Sequence, residues 1–96
     1  MDVEIMHCEE EKKFFIKING VECCVKYIKW NDKVWDFIGT FVPNNFKDAQ
    51  KLAMSLVKQA LDFANSQNVK IRASCRWVQD FLIDNKEYRS LIYYPY

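Results

Sequence analysis

The stretch Phe14-Phe15-Ile16-Lys17-Ile18-Asn19-Gly20-Val21-Glu22-Cys23-Cys24-Val25-Lys26-Tyr27 reads as two strands joined by a tight turn. Asn-Gly supplies the two positive φ values that a type I′ hairpin requires. Such a loop fixes the register. Ile18 opposes Val21, Ile16 opposes Cys23 and Phe14 opposes Val25 on one apolar face, while Lys17 opposes Glu22 on the other with opposite charge. A sheet with one well-specified apolar face needs a cover, and the rest of the chain must supply it.

Working outward, Trp30-Asn31-Asp32-Lys33 reads as a second turn. It leads into a strand over Val34 to Val42 that is apolar on both faces except at Asp36 and Thr40, a pattern that predicts a central strand covered on both sides. Val3 to His7 reads as an added edge strand. Pro43 and Asn44-Asn45 end the meander, because proline lacks a ladder donor and asparagine tolerates turn geometry. Between Asp48 and Asn65, Leu52, Ala53, Leu56, Val57, Ala60, Leu61 and Ala64 recur at helical spacing, with Lys51, Ser55, Lys58 and Asp62 left to solvent. Ser66-Gln67-Asn68 breaks this helix. Val69 to Ala73 then reads as a short strand and Arg76 to Ile83 as a second helix, with Trp77, Val78, Phe81 and Leu82 as its buried stripe. The order predicts an α+β fold with a mixed, mostly antiparallel sheet, one long helix and one short one. A ferredoxin-like RNA-binding module would need a helix after its first strand, so the aromatic sheet does not point to one.

With 96 residues, half of them hydrophobic, the chain has material for one core, and residues 1–96 are expected to form a single domain. Fourteen basic residues against thirteen acidic ones leave no bulk attraction to nucleic acid or anionic lipid, so neither is an expected partner. The acidic start and the absence of an apolar run of about 18 to 20 residues lead us to expect a soluble, intracellular and specifically cytoplasmic protein. Cys8, Cys23, Cys24 and Cys75 are then expected to be reduced. No metal site is expected: Cys23 and Cys24 point to opposite faces of a strand, His7 is the single histidine, and there is no Cys-x-x-Cys.

No hydrolase elbow, kinase motif or intact phosphate-binding glycine loop occurs. Two junctions remain. From Thr40-Phe41-Val42-Pro43 to Phe46-Lys47-Asp48-Ala49-Gln50-Lys51-Leu52-Ala53 a strand passes into a helix N-terminus, which offers free N–H groups to a phosphate, or is an ordinary connection. Cys75 stands where a strand ends and a helix begins, with Arg72 and Arg76 nearby, a setting that favours thiolate; the alternative is a structural buried thiol. Cys8, Cys23 and Cys24 read as structural, and His7 as an incidental surface residue of the edge strand. The tail Tyr93-Tyr94-Pro95-Tyr96 is either an anchor for a protein partner or for self-association, or packs on its own domain.

Taken together, Thr40-x-Val42-Pro43, the helix with Ala53, Leu56, Ala60 and Ala64, Ala73-Ser74-Cys75-x-Trp77-Val78, and Asn85-Lys86-Glu87-Tyr88-x-x-Leu91 resemble the small, roughly hundred-residue N-acetyltransferase-like proteins of the GNAT superfamily. The resemblance covers about residues 33 to 92. It implies a GNAT-like (acyl-CoA N-acyltransferase-like) fold, with acetyl-CoA as cofactor in a split between two central strands. It further implies that Thr40, Phe41 and Val42 present main chain to the pantetheine arm and that Lys47, Ala49, Gln50, Lys51, Leu52 and Ala53 hold the pyrophosphate. Cys75 would be the catalytic, acetyl-handling residue. The family's loop has a basic residue and then Gly-x-Gly-x-Ala; here Asp48, Ala49 and Lys51 stand at the basic and two glycine positions, and only Ala53 is retained. Two functions follow as expectations: an acetyl-CoA-dependent N-acetyltransferase with an unknown amine acceptor, or a catalytically inactive interaction module of the same fold that has lost CoA binding.

Overall fold

The computed structural model describes residues 5–18, 20–43 and 49–93. Its strands are β1 (Met6–Cys8), β2 (Lys13–Ile18), β3 (Val21–Asn31), β4 (Val34–Phe41) and β5 (Lys70–Ala73); α1 (Ala49–Ser66) joins β4 to β5, α2 (Arg76–Asp84) follows, and a short 3-10 helix covers Lys86–Leu91. The strands lie side by side in chain order. All neighbours are antiparallel except β4 and β5, which are parallel. A parallel pair needs a crossover, and α1 provides it. This is the expected mixed, mostly antiparallel α+β arrangement. Among the described residues no helix is long and apolar enough to cross a membrane.

The β2–β3 register is the one the turn dictates, with Ile18 opposite Val21 and Phe14 opposite Val25. Gly20 takes φ +80, the left-handed value a type I′ turn demands; Asn19 lies outside the described residues. The expected charge pair differs. Although Lys17 opposes Glu22, it is Lys13 that reaches that carboxylate at 2.8 Å, and it also reaches Glu11 at 3.0 Å. Two carboxylates hold one ammonium better than one, so Lys13 wins Glu22. The second turn is also one residue later than expected: β3 runs through Asn31, whose Oδ1 accepts the Lys33 N–H at 2.8 Å.

Phe14, Cys23, Val25, Tyr27, Trp35 and Phe37 of the sheet form one cluster with Leu56, Val57, Ala60, Leu61 and Ala64 of α1 and Val78, Phe81 and Leu82 of α2. The helical stripes match the spacing read from the sequence, with Leu52 and Trp77 only half-buried. Because both helices feed one cluster, the expected cover on both faces of β4 is not found among the described residues. On the far face Ile28, Trp30, Ile38 and Phe41 are 44% to 60% exposed. Cover there is local: the Trp30 ring meets the Tyr93 ring edge-on and the Arg72 guanidinium at 4.5 Å, and Val34, on the strand between Trp30 and Arg72, is buried. Tyr93 thus packs on its own domain; Tyr94, Pro95 and Tyr96 lie outside the described residues.

Two sequence readings near the N-terminus are corrected. The edge strand is Met6–Cys8, with Val3 and Glu4 outside the described residues. His7 is no incidental surface residue: it opposes Phe14 and faces inward. Its ring stacks on Phe14 at 4.3 Å, meets the edge of Phe63 at 4.7 Å, and places Nε2 2.6 Å from the Tyr27 hydroxyl. The imidazole therefore partners the one polar atom of a buried tyrosine.

Leu56, fully buried where α1 meets the sheet, sets the first test: Leu56→Ala is expected to destabilise by ~2 to 5 kcal/mol in chemical denaturation, and a cost under about 1 kcal/mol would contradict this packing. The second concerns pH. Burial holds the His7 imidazole below its usual range, with Lys29 adding to the effect and Glu9 opposing it. The unfolded chain protonates this group near its ordinary value, so its contribution to stability is complete above about pH 6.5 and is lost as pH falls through that range toward the lower folded value. Denaturation midpoints should therefore drop more between about pH 7.5 and about pH 5 for the parent than for His7→Phe; equal drops would contradict the assignment.

Candidate active site

β4 and β5 pair from Val34 opposite Lys70 to Phe37 opposite Ala73, and then part. Beyond this point β4 keeps β3 on one side, with Thr40 opposite Val25 and Phe41 opposite Cys24, while its other edge loses its strand partner. A fork opens between the ends of two parallel strands. Tyr27 opposes Phe37 and Lys26 opposes Gly39, so Ile38 is the extra residue of a β-bulge. The inward positions of β4 therefore step from Phe37 to Thr40, which puts the Thr40 side chain on the core side of the fork.

The chain leaving β5 is held at each residue. Asp36 accepts both the Ser74 N–H, at 3.2 Å, and the Ser74 hydroxyl, at 2.9 Å. The Cys75 N–H donates to the Phe37 carbonyl at 2.9 Å, and Gln79 donates from its side chain to the Ala73 carbonyl and from its main chain to the Cys75 carbonyl. Cys75 is the N-cap residue of α2, in extended geometry. Its Sγ lies 3.3 Å from Thr40 Oγ1. Thiol and hydroxyl thus meet across the mouth of the fork, beside the first turn of a helix whose free N–H groups favour negative charge.

Cys75 is only 5% exposed and belongs to the core cluster, so its sulfur faces the fork and not open solvent. The flanking arginines do not serve it as expected: Arg72 lies over Trp30, and Arg76 points to Asp80 on an exposed turn of α2. Strand alternation carried that signal, since inward-facing Ile71 sends Arg72 outward. All four cysteines carry free thiols. Burial pushes the Cys23 and Cys24 thiols up, with the Glu22 carboxylate adding to it, which leaves both as structural residues.

The residues expected to face a cofactor fall into two groups. Thr40 and Phe41 end β4 and Val42, half-buried, packs on the core at its exit. Ala49, Gln50, Lys51, Leu52 and Ala53 form the first turn of α1, with Lys51 exposed and Ala53 buried. The first turn has no acidic residue; Lys47 and Asp48 lie outside the described residues. Sequence reading missed Asp36 and Ser74, which fix the Cys75 segment. The family resemblance implies only a main-chain role for Thr40, whereas its hydroxyl is what meets Cys75.

A meander that ends on a strand deserted by its parallel neighbour, with a long helix between the two, defines the class: a small acyl-CoA N-acyltransferase-like fold. The profile described as GCN5-related N-acetyl-transferase matches residues 13–91, and the chain belongs to that family. Among known proteins it is similar to Protein NATD1 of Danio rerio, 26% identical over 85 residues that span 86% of this chain and 76% of that protein, and to Protein NATD1 of Mus musculus at 24% over the same length. In fold it is similar to the solution structure of a GCN5-like candidate N-acetyltransferase from Staphylococcus aureus. That match has a TM-score of 0.72 at 24% identity and covers 95% of this chain and 88% of that one.

The Thr40–Cys75 contact yields a prediction. A thiolate can only accept, so Thr40 must donate to it, and such a bond contributes about 0.5 to 1.5 kcal/mol net. Thr40→Val, which keeps the shape, should slow alkylation of Cys75 by iodoacetamide roughly two- to tenfold, as read by peptide mapping. An unchanged rate would mean that the hydroxyl does not act on the sulfur.

Proposed function

We propose that this protein transfers the acetyl group of acetyl-CoA to an amine, and that Cys75 handles the acetyl group. The observation that carries the reading is the fork: a strand edge over the end of β4 with no strand partner among the described residues, and a thiol and a hydroxyl 3.3 Å apart at its mouth. The pantetheine arm of CoA is built from amides in an extended chain, and an extended chain of amides adds naturally to a free strand edge. The first turn of α1 follows β4 by a short connection and offers N–H groups to a pyrophosphate. Ala49 and Lys51 replace glycines there, so close backbone approach gives way to the ammonium of Lys51. The residues fit the group by this combination of strand edge, helix end and cation.

Acetyl-CoA supplies the acetyl group already activated as a thioester. Cys75 Sγ bonds to the acetyl carbon as the bond to the CoA sulfur breaks, and the thiol proton leaves with that sulfur. The Thr40 hydroxyl donates to Sγ while it carries negative charge. The acceptor amine then attacks the acetyl carbon, its proton returns to Cys75, and an amide leaves. The buried setting of Cys75 keeps water from the thioester, whose hydrolysis competes with transfer.

The test needs no known acceptor. Calorimetric titration should give binding of CoA and acetyl-CoA, and brief incubation with acetyl-CoA followed by acid quenching should place one acetyl group on Cys75 by mass spectrometry. Cys75→Ala should lose the label and keep the binding. Absence of heat at about millimolar ligand would remove the transferase reading in favour of an interaction module, since 1 mM corresponds to only about 4 kcal/mol of binding free energy.

A further inference from the structure

Besides the fork, β5 has a second edge. Among the described residues it is closed only at Ile71, which bridges to Ile92 and accepts the Tyr93 N–H at 2.9 Å. Past that point it opens into a cleft of about 480 Å³ whose walls include Arg72, Ser74, Gln79, Ile83, Arg89 and Ile92. This volume is in the range that holds small molecules. Two of the lining residues are arginines and none is acidic.

The two arginines are held ready in different ways. Arg89 donates from Nε to the Leu82 carbonyl at 3.1 Å and from Nη2 to the Ile83 carbonyl at 3.3 Å, which fixes the guanidinium plane at the end of α2 and leaves further N–H groups without those acceptors. The Arg72 guanidinium is held by its face, 4.5 Å from the Trp30 ring centre, and among the described residues it makes no hydrogen bond or ion pair. A guanidinium stacked on an aromatic ring keeps its edge open for a bidentate carboxylate. Asp36, the neighbour of Arg72 across the β4–β5 ladder, turns its two oxygens to the Ser74 N–H and hydroxyl and forms no ion pair with Arg72. Leu82, Ile92 and Ile83, the last 62% exposed, add an apolar wall.

We propose that this cleft binds the carboxylate of a small ligand with an apolar chain. On the transferase reading above, on which this second step rests, it seats the acceptor: an amine that also carries a carboxylate. Ser74 lines the cleft and the next residue, Cys75, closes the fork, so the main chain between them is all that separates the two sites along the sequence. A carboxylate anchored on the arginines lets the other end of the same molecule reach over that ridge.

The experiment follows backbone amide NMR signals while ε-aminocaproate or its primary amide is added. The carboxylate should shift Arg72, Ala73, Ser74, Arg89 and Ile92, and the amide should bind ~tenfold more weakly, the loss expected for one charge-assisted bidentate contact. Arg72→Gln should weaken carboxylate binding by about the same factor, and Arg72→Lys by less, since it keeps the charge but not the fork. Equal binding of acid and amide, silence of the cleft signals, or indifference to Arg72→Gln would each overturn the proposal. CoA added to the same samples separates the two readings. Signals at Thr40, Val42 and Cys75 that ignore CoA would remove the acceptor role together with the transferase reading and leave the carboxylate site standing. A cleft silent to carboxylate while those signals respond to CoA would remove the cleft alone.

Discussion

The hydrogen bond from the Cys75 N–H to the Phe37 carbonyl, 2.9 Å long, is the last main-chain link between β4 and the chain that leaves β5. Everything at the site depends on the strands parting there and no later. One residue more of parallel pairing would close the free edge of β4 and carry Cys75 into the sheet. Packing enforces the break. α2 starts at Arg76, and its buried Val78, Phe81 and Leu82 pull the chain toward α1, while Asp36 and Gln79 pin Ser74 and Ala73 just before the turn. The fork is thus held by the same core that holds the fold, and a loss of α2 packing would be felt at the thiol.

The second requirement is the extra residue at Ile38. A regular strand alternates, so inward-facing Phe37 would be followed by inward-facing Gly39, and Thr40 would point to the exposed side. The bulge shifts the phase by one and gives Sγ a hydroxyl partner in place of a glycine. Ile38 and Gly39 then both face outward, Ile38 being 46% exposed. On this view the bulge is a feature of the site and not a defect of the sheet.

Much of this was legible in the chain. The Asn19-Gly20 hairpin and its register follow from turn chemistry and alternation alone, and α1 follows from apolar spacing sustained over 18 residues. The junction at Cys75 could be placed because a strand pattern changes to a helical one there. What could not be read depends on contacts between distant residues. Ser74 and Asp36 are 38 positions apart, and nothing local in either announces the pair. An apolar residue on the second face of β4 looks the same in sequence whether a helix covers it or not, so Ile38 and Phe41 suggest a cover that no described helix supplies. His7 sits in a strand of three residues, too short for alternation to fix its face until Phe14 and Tyr27 are seen beside it.

The replacement of glycine at Ala49 and Lys51 bears on how the proposed cofactor would be held. The first N–H groups of α1 lack intrahelical acceptors whatever the side chains are, so donors for a pyrophosphate survive the substitutions. What changes is approach. A hydrogen bond weakens steeply once donor and acceptor exceed about 3.2 Å, whereas attraction between opposite charges falls only as the inverse of distance. A side chain that keeps the phosphate a little further out therefore costs directional bonds more than it costs charge attraction, and the exposed Lys51 ammonium supplies the latter. Binding at such a site leans on an exposed charge, and exposed charges are screened within about 8 Å at physiological ionic strength. The consequence is an affinity for CoA that falls with added salt more steeply than a glycine loop's would, because the glycine loop relies on short, directional main-chain bonds that salt does not reach.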